Sequence, residues 1–168
     1  FQIKKAKLTI TEPYTKEYTV TGYGRCANTA EDGLKAPFVY AENGDDISLA
    51  QVKGKIVMVN DPVRKDMYQK LVKAGAVGFI SIAGSPLDEG VDLIPRAYGL
   101  PKNLPGEEKK AAGKEAQNYD NRIPGVSIHY KDAIELVTKG ASQACLVVEQ
   151  ETVTRTSRNV VARIEGTD

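Results

Sequence analysis

The sequence predicts a mixed α/β fold, with mixed sheets, two or three helices and one long loop. Three observations carry that expectation. Residues 54–82 read as strand, helix, strand, with continuous apolar runs on either side of an amphipathic stretch. The first third instead alternates apolar and polar residues, as half-buried strands do. Between residues 84 and 122 all periodicity vanishes, and strand and helix signals then resume.

Taken in order, Ile3, Ala6, Leu8 and Ile10 fall near a period of two until Pro13 breaks the run. Tyr18-Thr19-Val20-Thr21-Gly22-Tyr23 follows after about one turn, so the two runs are expected to pair antiparallel. A polar stretch with Asn28, Asp32 and Gly33 leads to the run Pro37–Ala41, which Glu42-Asn43-Gly44-Asp45-Asp46 closes as a turn. Gly54-Lys55 then introduces Ile56-Val57-Met58-Val59, a strand of the kind covered on both faces. Asp61-Pro62 reads as a helix opening, with Asp61 as the cap and Pro62 in the first turn. Val63, Met67, Leu71 and Val72, with Ala74, supply the apolar stripe, and Gly75 stands where a left-handed cap belongs. Val77-Gly78-Phe79-Ile80-Ser81-Ile82 is the next buried strand.

The stretch 84–122 carries Pro86, Pro95, Pro101 and Pro105 and the charged run Gly106-Glu107-Glu108-Lys109-Lys110. A loop of this length inside a compact domain is functional or unstructured by default. Its part from 107 to 119, dominated by Ala, Glu and Lys, has the composition of a solvated helix. Ile123-Pro124-Gly125-Val126-Ser127-Ile128 resumes the strands. A second helix is expected over 131–139, ended by Gly140, and Ala144–Glu149 is the last core strand.

The 168 residues suit one domain, which at that size buries roughly 70% of its unfolded surface without a staple. Lys and Arg number 23 against 22 Asp and Glu, so no electrostatic footprint for nucleic acid or an anionic membrane stands out. No apolar run approaches the length of a membrane span, and no signal-peptide pattern opens the chain, which starts at Phe1. Cys145, inside an apolar run, reads as a buried small hydrophobe; Cys26 reads as a loop residue, and two such cysteines make no disulfide framework.

Candidates for chemistry are few. His129 is the one histidine, and a zinc site needs three or four Cys, His, Asp or Glu ligands; a structural residue is the better reading. No G-x-S-x-G elbow exposes a serine, and Gly75-Ala76-Val77-Gly78 follows a helix instead of opening one, so it cradles no phosphate. Asp88, Glu89 and Asp92 lack the spacing of a calcium loop. No catalytic, cofactor-binding or metal-binding residue is therefore assigned. Tyr98 and Tyr119, both in the long loop, are the candidates for partner or substrate contacts, because tyrosine is enriched at interfaces. Local packing that pins the loop is an equal alternative for both.

From Val52 onward the order of signals resembles the protease-associated (PA) domain. Val52-Lys53-Gly54-Lys55-Ile56-Val57-Met58-Val59 matches that family's Gly-Lys-Ile-Val strand. Lys73-Ala74-Gly75-Ala76-Val77-Gly78-Phe79-Ile80 matches its Ala-Gly-Ala helix end and following strand, and Ile123-Pro124-Gly125-Val126-Ser127-Ile128 its Ile-Pro strand. Where many members carry Arg-Gly-x-Cys-x-Phe, this chain has Asp61-Pro62-Val63-Arg64-Lys65-Asp66-Met67-Tyr68, which fits the looser versions found in peptidases. The resemblance implies a swivelling β/β/α fold. The closing residues Ser157-Arg158-Asn159-Val160-Val161-Ala162-Arg163-Ile164-Glu165-Gly166-Thr167 look like the first strand of the co-catalytic zinc aminopeptidases, a family that includes glutamate carboxypeptidase and the transferrin receptor ectodomain.

Together these resemblances imply a PA domain over 1–153, with residues 154–168 forming a linker and first strand that lead into a catalytic domain beyond Asp168. Zinc and the general-base glutamate would lie there, and residues 159–164 would either pair with the N-terminal strands or be poorly ordered in the isolated chain. The implied role is non-catalytic: a lid or wall that shapes access to a metallopeptidase's metals. Its partners would be its own catalytic domain and peptide substrate, with no nucleic acid and no membrane insertion, in an extracellular or cell-envelope setting in preference to a cytoplasmic one. The alternatives are a PA domain of a subtilisin-like serine protease, a stand-alone peptide- or protein-binding module, and a small α/β enzyme in its own right.

Overall fold

A computed structural model of the chain describes residues 1–87, 94–107 and 119–153, with 156, 158, 160 and 161 beyond them. The strands are β1 (Gln2–Glu12), β2 (Lys16–Tyr18), β3 (Val20–Gly22), β4 (Leu34–Tyr40), β5 (Ile56–Val59), β6 (Gly78–Ala83), β7 (Gly125–His129) and β8 (Gln143–Glu151). Two helices, α1 (Lys65–Lys73) and α2 (Tyr130–Thr138), complete the elements among the described residues. The strands form one eight-stranded sheet in the order β2-β1-β8-β4-β5-β6-β7-β3. Pairing along β4-β5-β6-β7 is parallel, and the remaining pairs are antiparallel.

β5 is buried at all four positions because both its faces are covered. Ile56 and Met58 join a core with Leu8, Ile10, Ile80, Ile128, Leu136 and Leu146. Val57 and Val59 enter a second core with Tyr23, Val63, Tyr68, Leu71, Phe79 and Leu100. Each helix closes one of these cores: α2 through Ala133 and Leu136, α1 through Tyr68 and Leu71. Burying a leucine-sized side chain stabilises by roughly 1.5–3 kcal/mol, and the Ala133 methyl by less, so the helices are held chiefly by these inward residues.

Several expectations are corrected. The run 18–23 does not form one strand: β2 pairs with β1 through Leu8↔Tyr18, while β3 leaves for the far edge and pairs with β7. The break lets the sheet curl until its ends approach, so that a Cβ on Gly22 would lie 2.9 Å from Cγ2 of Ile3. α1 starts at Lys65, with Arg64 as an extended N-cap that makes no side-chain cap bond; Asp61 does not cap it. Asp61-Pro62-Val63 instead forms the connector that drops Val63 into the core, where its carbonyl accepts the Tyr23 hydroxyl at 2.8 Å. Val72 is 46% exposed and Tyr68 takes its expected place on the buried stripe. Gly75 does end the helix, at φ +86, a conformation that costs residues with a Cβ roughly 1 kcal/mol or more.

The two cysteines exchange their expected roles, and both are free thiols. On β8 the residues Ala144, Leu146 and Val148 face the core, so alternation turns Cys145 to the half-exposed face. Cys26, read as a loop residue, is buried at 2% exposure. The helix expected over 107–119 lies outside the described residues except at its two ends, and so do Asp88, Glu89 and Asp92. The expected tail strand over 159–164 is described only at Val160 and Val161, both at least 90% exposed.

Candidate functional site: the base of the long loop

The long loop leaves the sheet after β6 and returns at β7, and its described ends converge on the turn that follows β3. Gly24 donates its N–H to the Tyr98 carbonyl at 2.8 Å, and Leu100 donates to the Gly24 carbonyl at 2.9 Å. These bonds close a short parallel bridge between Gly24 and Gly99. Thr21 reaches further along the same loop, with its hydroxyl on the Pro95 carbonyl at 2.7 Å.

Arg122 is the centre of this region, with a side chain only 2% exposed. Its Nε and Nη2 each donate at 2.7 Å to one carboxylate oxygen of Glu107, the forked geometry that a guanidinium and a carboxylate share. Nη1 also donates to the Arg25 and Pro101 carbonyls at 2.8 and 2.9 Å, and Nη2 to the Lys102 carbonyl at 3.0 Å. All five guanidinium N–H groups are thereby used, so a cation that would be costly to bury unpaired is fully satisfied. The Tyr119 ring covers it, with the guanidinium carbon 4.5 Å from the ring centroid. The bond with Arg122, helped by the Leu104 N–H, holds the Glu107 carboxyl below the usual carboxylate range.

A second polar hub stands beside it. Gln150 continues the core phase of β8, one step past Val148, and its side chain bonds the Arg25 N–H and the Tyr23 and Cys26 carbonyls at 2.9, 3.0 and 3.0 Å. Aromatic rings line the floor: Tyr23 meets Phe79 edge-on at 5.0 Å, and Tyr68 meets Phe79 edge-on at 6.1 Å. Burial pushes the Tyr68 hydroxyl up to about 12, and it accepts the Ile123 N–H at 3.0 Å. Burial also raises Cys26, which makes its thiol a poor nucleophile at neutral pH.

Both tyrosines singled out in the sequence border this base and are half-buried. Tyr98 stacks on Tyr23 at 5.9 Å, and Tyr119 lies on Arg122. The structure thus brings both to one region, each with a local packing partner. His129 is elsewhere: at 7% exposure it is the N-cap of α2, its Nδ1 accepting the Lys131 N–H at 3.2 Å. Among the described residues no group of three or more His, Cys, Asp or Glu side chains could hold a metal ion. Arg122, Glu107 and Gln150 were not singled out in the sequence. Gln150 carried a signal, a polar residue on the core phase of a strand; Arg122 carried none beyond its place at the end of an aperiodic stretch. The base is a scaffold whose polar groups bond to one another.

A model of the PA domain family matches residues 16–136. The chain belongs to the PA domain family. No curated protein sequence matches it. The PA domain described here is similar to part of BSAP, a zinc aminopeptidase from Bacillus subtilis, with a TM-score of 0.63 at 20% identity, covering 89% of this chain and 31% of that one. It is similar to part of a peptidase M28 precursor from Shewanella amazonensis, with a TM-score of 0.58 at 16% identity, covering 90% of this chain and 36% of that one. A psychrophilic subtilisin-like protease, Apa1, from Pseudoalteromonas sp. AS-11 matches with a TM-score of 0.53 at 16% identity, covering 86% of this chain and 33% of that one. This PA domain spans about a third of the length of these solved structures. No helix among its described residues is long and apolar enough to cross a membrane.

Proposed function

We propose that this PA domain is the non-catalytic accessory part of a zinc-dependent aminopeptidase, packed beside the catalytic domain and shaping access to its metals. The observation that carries this reading is the likeness of nearly the whole chain to a third of a zinc aminopeptidase, which leaves most of that enzyme's length for the catalytic machinery. The resemblance of residues 157–167 to the opening strand of such enzymes supports it. Zinc belongs to that other domain in this reading.

The base of the long loop has the properties a gating wall needs. Arg122 and Glu107 tie the described ends of the loop to each other through a forked, part-buried bond, and Gln150 holds the turn after β3 on which those ends converge. Tyr98 and Tyr119 then offer half-exposed rings on a rigid support, the form in which tyrosine contributes most to peptide or domain contacts. An extracellular or cell-envelope location goes with this role.

The test is kinetic, in the parent protein. Tyr98→Ala and Tyr119→Ala are expected to change KM for peptides of several residues by threefold or more, and to leave zinc content and turnover of a small chromogenic amide unchanged. Equal kinetics on short and long peptides would remove the gating role. A serine-protease partner is the second reading, kept by the likeness to the subtilisin-like protease. Inhibition of the parent by a chelator, and not by a serine-directed phosphonate, separates the two.

A further inference from the structure

Three hydroxyl side chains stand in one row across β3, β7 and β6. Thr21 is opposite Ser127 on one side, and Ser81 is opposite Ser127 on the other. Val126 and Ile128 enter the first core, so alternation turns Ser127 to the other face; Ser81 shares that face with Phe79, in the second core. Neighbouring strands lie about 5 Å apart, so the three hydroxyls share one patch. Both serines are buried at 0% exposure. Each stands two residues before the carboxyl end of its strand, and β6 and β7 run parallel. The carboxyl ends of parallel strands are where such sheets hold ligands.

The two outer hydroxyls are taken by backbone carbonyls. Thr21 donates to the carbonyl of Pro95, itself buried, at 2.7 Å, and Ser81 donates to the Asp61 carbonyl at 3.2 Å. The middle hydroxyl is different. Among the described residues, Oγ of Ser127 is the one buried side-chain polar atom without a hydrogen-bond partner. A hydroxyl buried in that way opposes folding, and native structures satisfy nearly all such groups. Acceptors stand beside it, because a carbonyl that has taken one hydrogen bond keeps a second lone pair. The Asp61 and Pro95 carbonyls, each bonded to a neighbour of Ser127 in the row, can each accept one more donor.

We propose that this patch is the binding site of one internal water molecule, which accepts the Ser127 hydroxyl and donates to the Asp61 and Pro95 carbonyls. Three bonds is the usual number for a buried water, and one donor with two acceptors matches its hydrogen-bonding pattern. A monovalent cation fits less well, because it would take the oxygen lone pairs and leave the Ser127 proton unbonded. The water joins three segments: the sheet at β7, the connector before α1 and the returning arm of the long loop. It holds that arm at Pro95, which the Arg122 bonds do not touch. The site does not depend on which catalytic domain the PA domain serves.

The test counts long-lived internal waters in the 168-residue chain by oxygen-17 relaxation dispersion. Ser127→Val fills the patch with methyl groups and removes the donor, so it is expected to lose one such water relative to the unsubstituted chain. The sign of Ser127→Ala is a second readout, taken by urea unfolding. If water bridges the hydroxyl, its removal should raise the unfolded-to-folded ratio about 3- to 10-fold. If the hydroxyl is dry, its removal should lower that ratio. A third readout needs no substitution and stands even if Ser127→Val does not fold: the Ser127 Hβ protons should show a cross-peak to water in a rotating-frame NMR experiment. An unchanged water count in Ser127→Val, a more stable Ser127→Ala, or no cross-peak would each overturn the proposal. So would an unfolding midpoint that differs between sodium chloride and choline chloride at equal ionic strength and loses that difference in Ser127→Ala, because a cation would then hold the site.

Discussion

Arg122→Ala tests whether the loop base is held as described. The substitution removes a guanidinium that is 2% exposed and leaves the Arg25, Pro101 and Lys102 carbonyls without the donors that bonded them. A lost backbone bond of this kind costs about 1 kcal/mol net, and more where the acceptor stays buried, so three of them amount to roughly 3 kcal/mol. The forked bond to Glu107 adds less than a fully buried pair would, because that carboxylate is 35% exposed and is solvated once its partner is gone. The sum is about 3–5 kcal/mol, the range found when one partner of a buried pair is removed. In a domain of this size that corresponds to a fall in Tm of roughly 6–20 °C. Urea unfolding followed by circular dichroism measures the loss, and hydrogen exchange at Gly24 and Leu100 should show where it begins. Glu107→Gln should cost less, since the amide still offers an oxygen to the guanidinium. A cost below about 0.5 kcal/mol for Arg122→Ala, the level of an ordinary surface change, would refute the clamp.

Acid should destabilise the domain through two ion-paired carboxylates, Glu135 and Glu107. The Lys139 and Lys16 ammonium groups hold Glu135 down to about 2, and Arg122 holds Glu107 below its ordinary value. A carboxylate depressed in the folded state contributes stability above its unfolded pKa of about 4.3, and that contribution is lost as pH falls through the folded value. The urea midpoint should therefore be flat from pH 7 to about 5 and fall below pH 4. Added salt should weaken the exposed Glu135 part before the Arg122 part. Gly125→Ala should cost about 1–3 kcal/mol or more, because its Cβ would meet the Phe79 ring at 2.1 Å, and Phe79 is wedged edge-on between Tyr23 and Tyr68; thermal unfolding measures it. A thiol reagent should label Cys145 quickly in the native state and Cys26 only on unfolding, read by mass spectrometry of the labelled peptides; rapid labelling of both would contradict the burial of Cys26.

Much of the fold was legible because its signals are local. β5 and β6 were readable as apolar runs flanked by glycine, and the ends of both helices lay at Gly75 and Gly140 as read. The errors arose where a distant element decides a local question. Nothing in Tyr18–Tyr23 says that the chain changes partners after Tyr18, because that follows from the curl of the whole sheet. Asp61-Pro62 has the chemistry of a helix opening, yet the need to seat Val63 beneath Tyr23 delays the helix to Lys65. The exchange of roles between the cysteines has the same origin: neighbouring apolar residues do not tell which face of β8 carries Cys145.

For the site the division is sharper. Tyr98 and Tyr119 could be chosen from sequence because a large aromatic in a loop needs support. That Tyr98 stacks on Tyr23 and Tyr119 lies on Arg122 could not be read there, since the partners are 75 and 3 residues away and only folding brings the first pair together.

By itself the sequence determined the fold class, the order of most strands and helices, the PA resemblance and the place of the long loop. These depend on periodicity, glycine and proline, which act over a few residues. Only the tertiary structure decided that Arg122 is a buried clamp, that Gln150 is a second hub, and that hydroxyls from β3, β6 and β7 meet around Ser127. Those features rest on hydrogen bonds and close backbone approach between segments remote in the chain, and such contacts leave no local pattern for a single sequence to display.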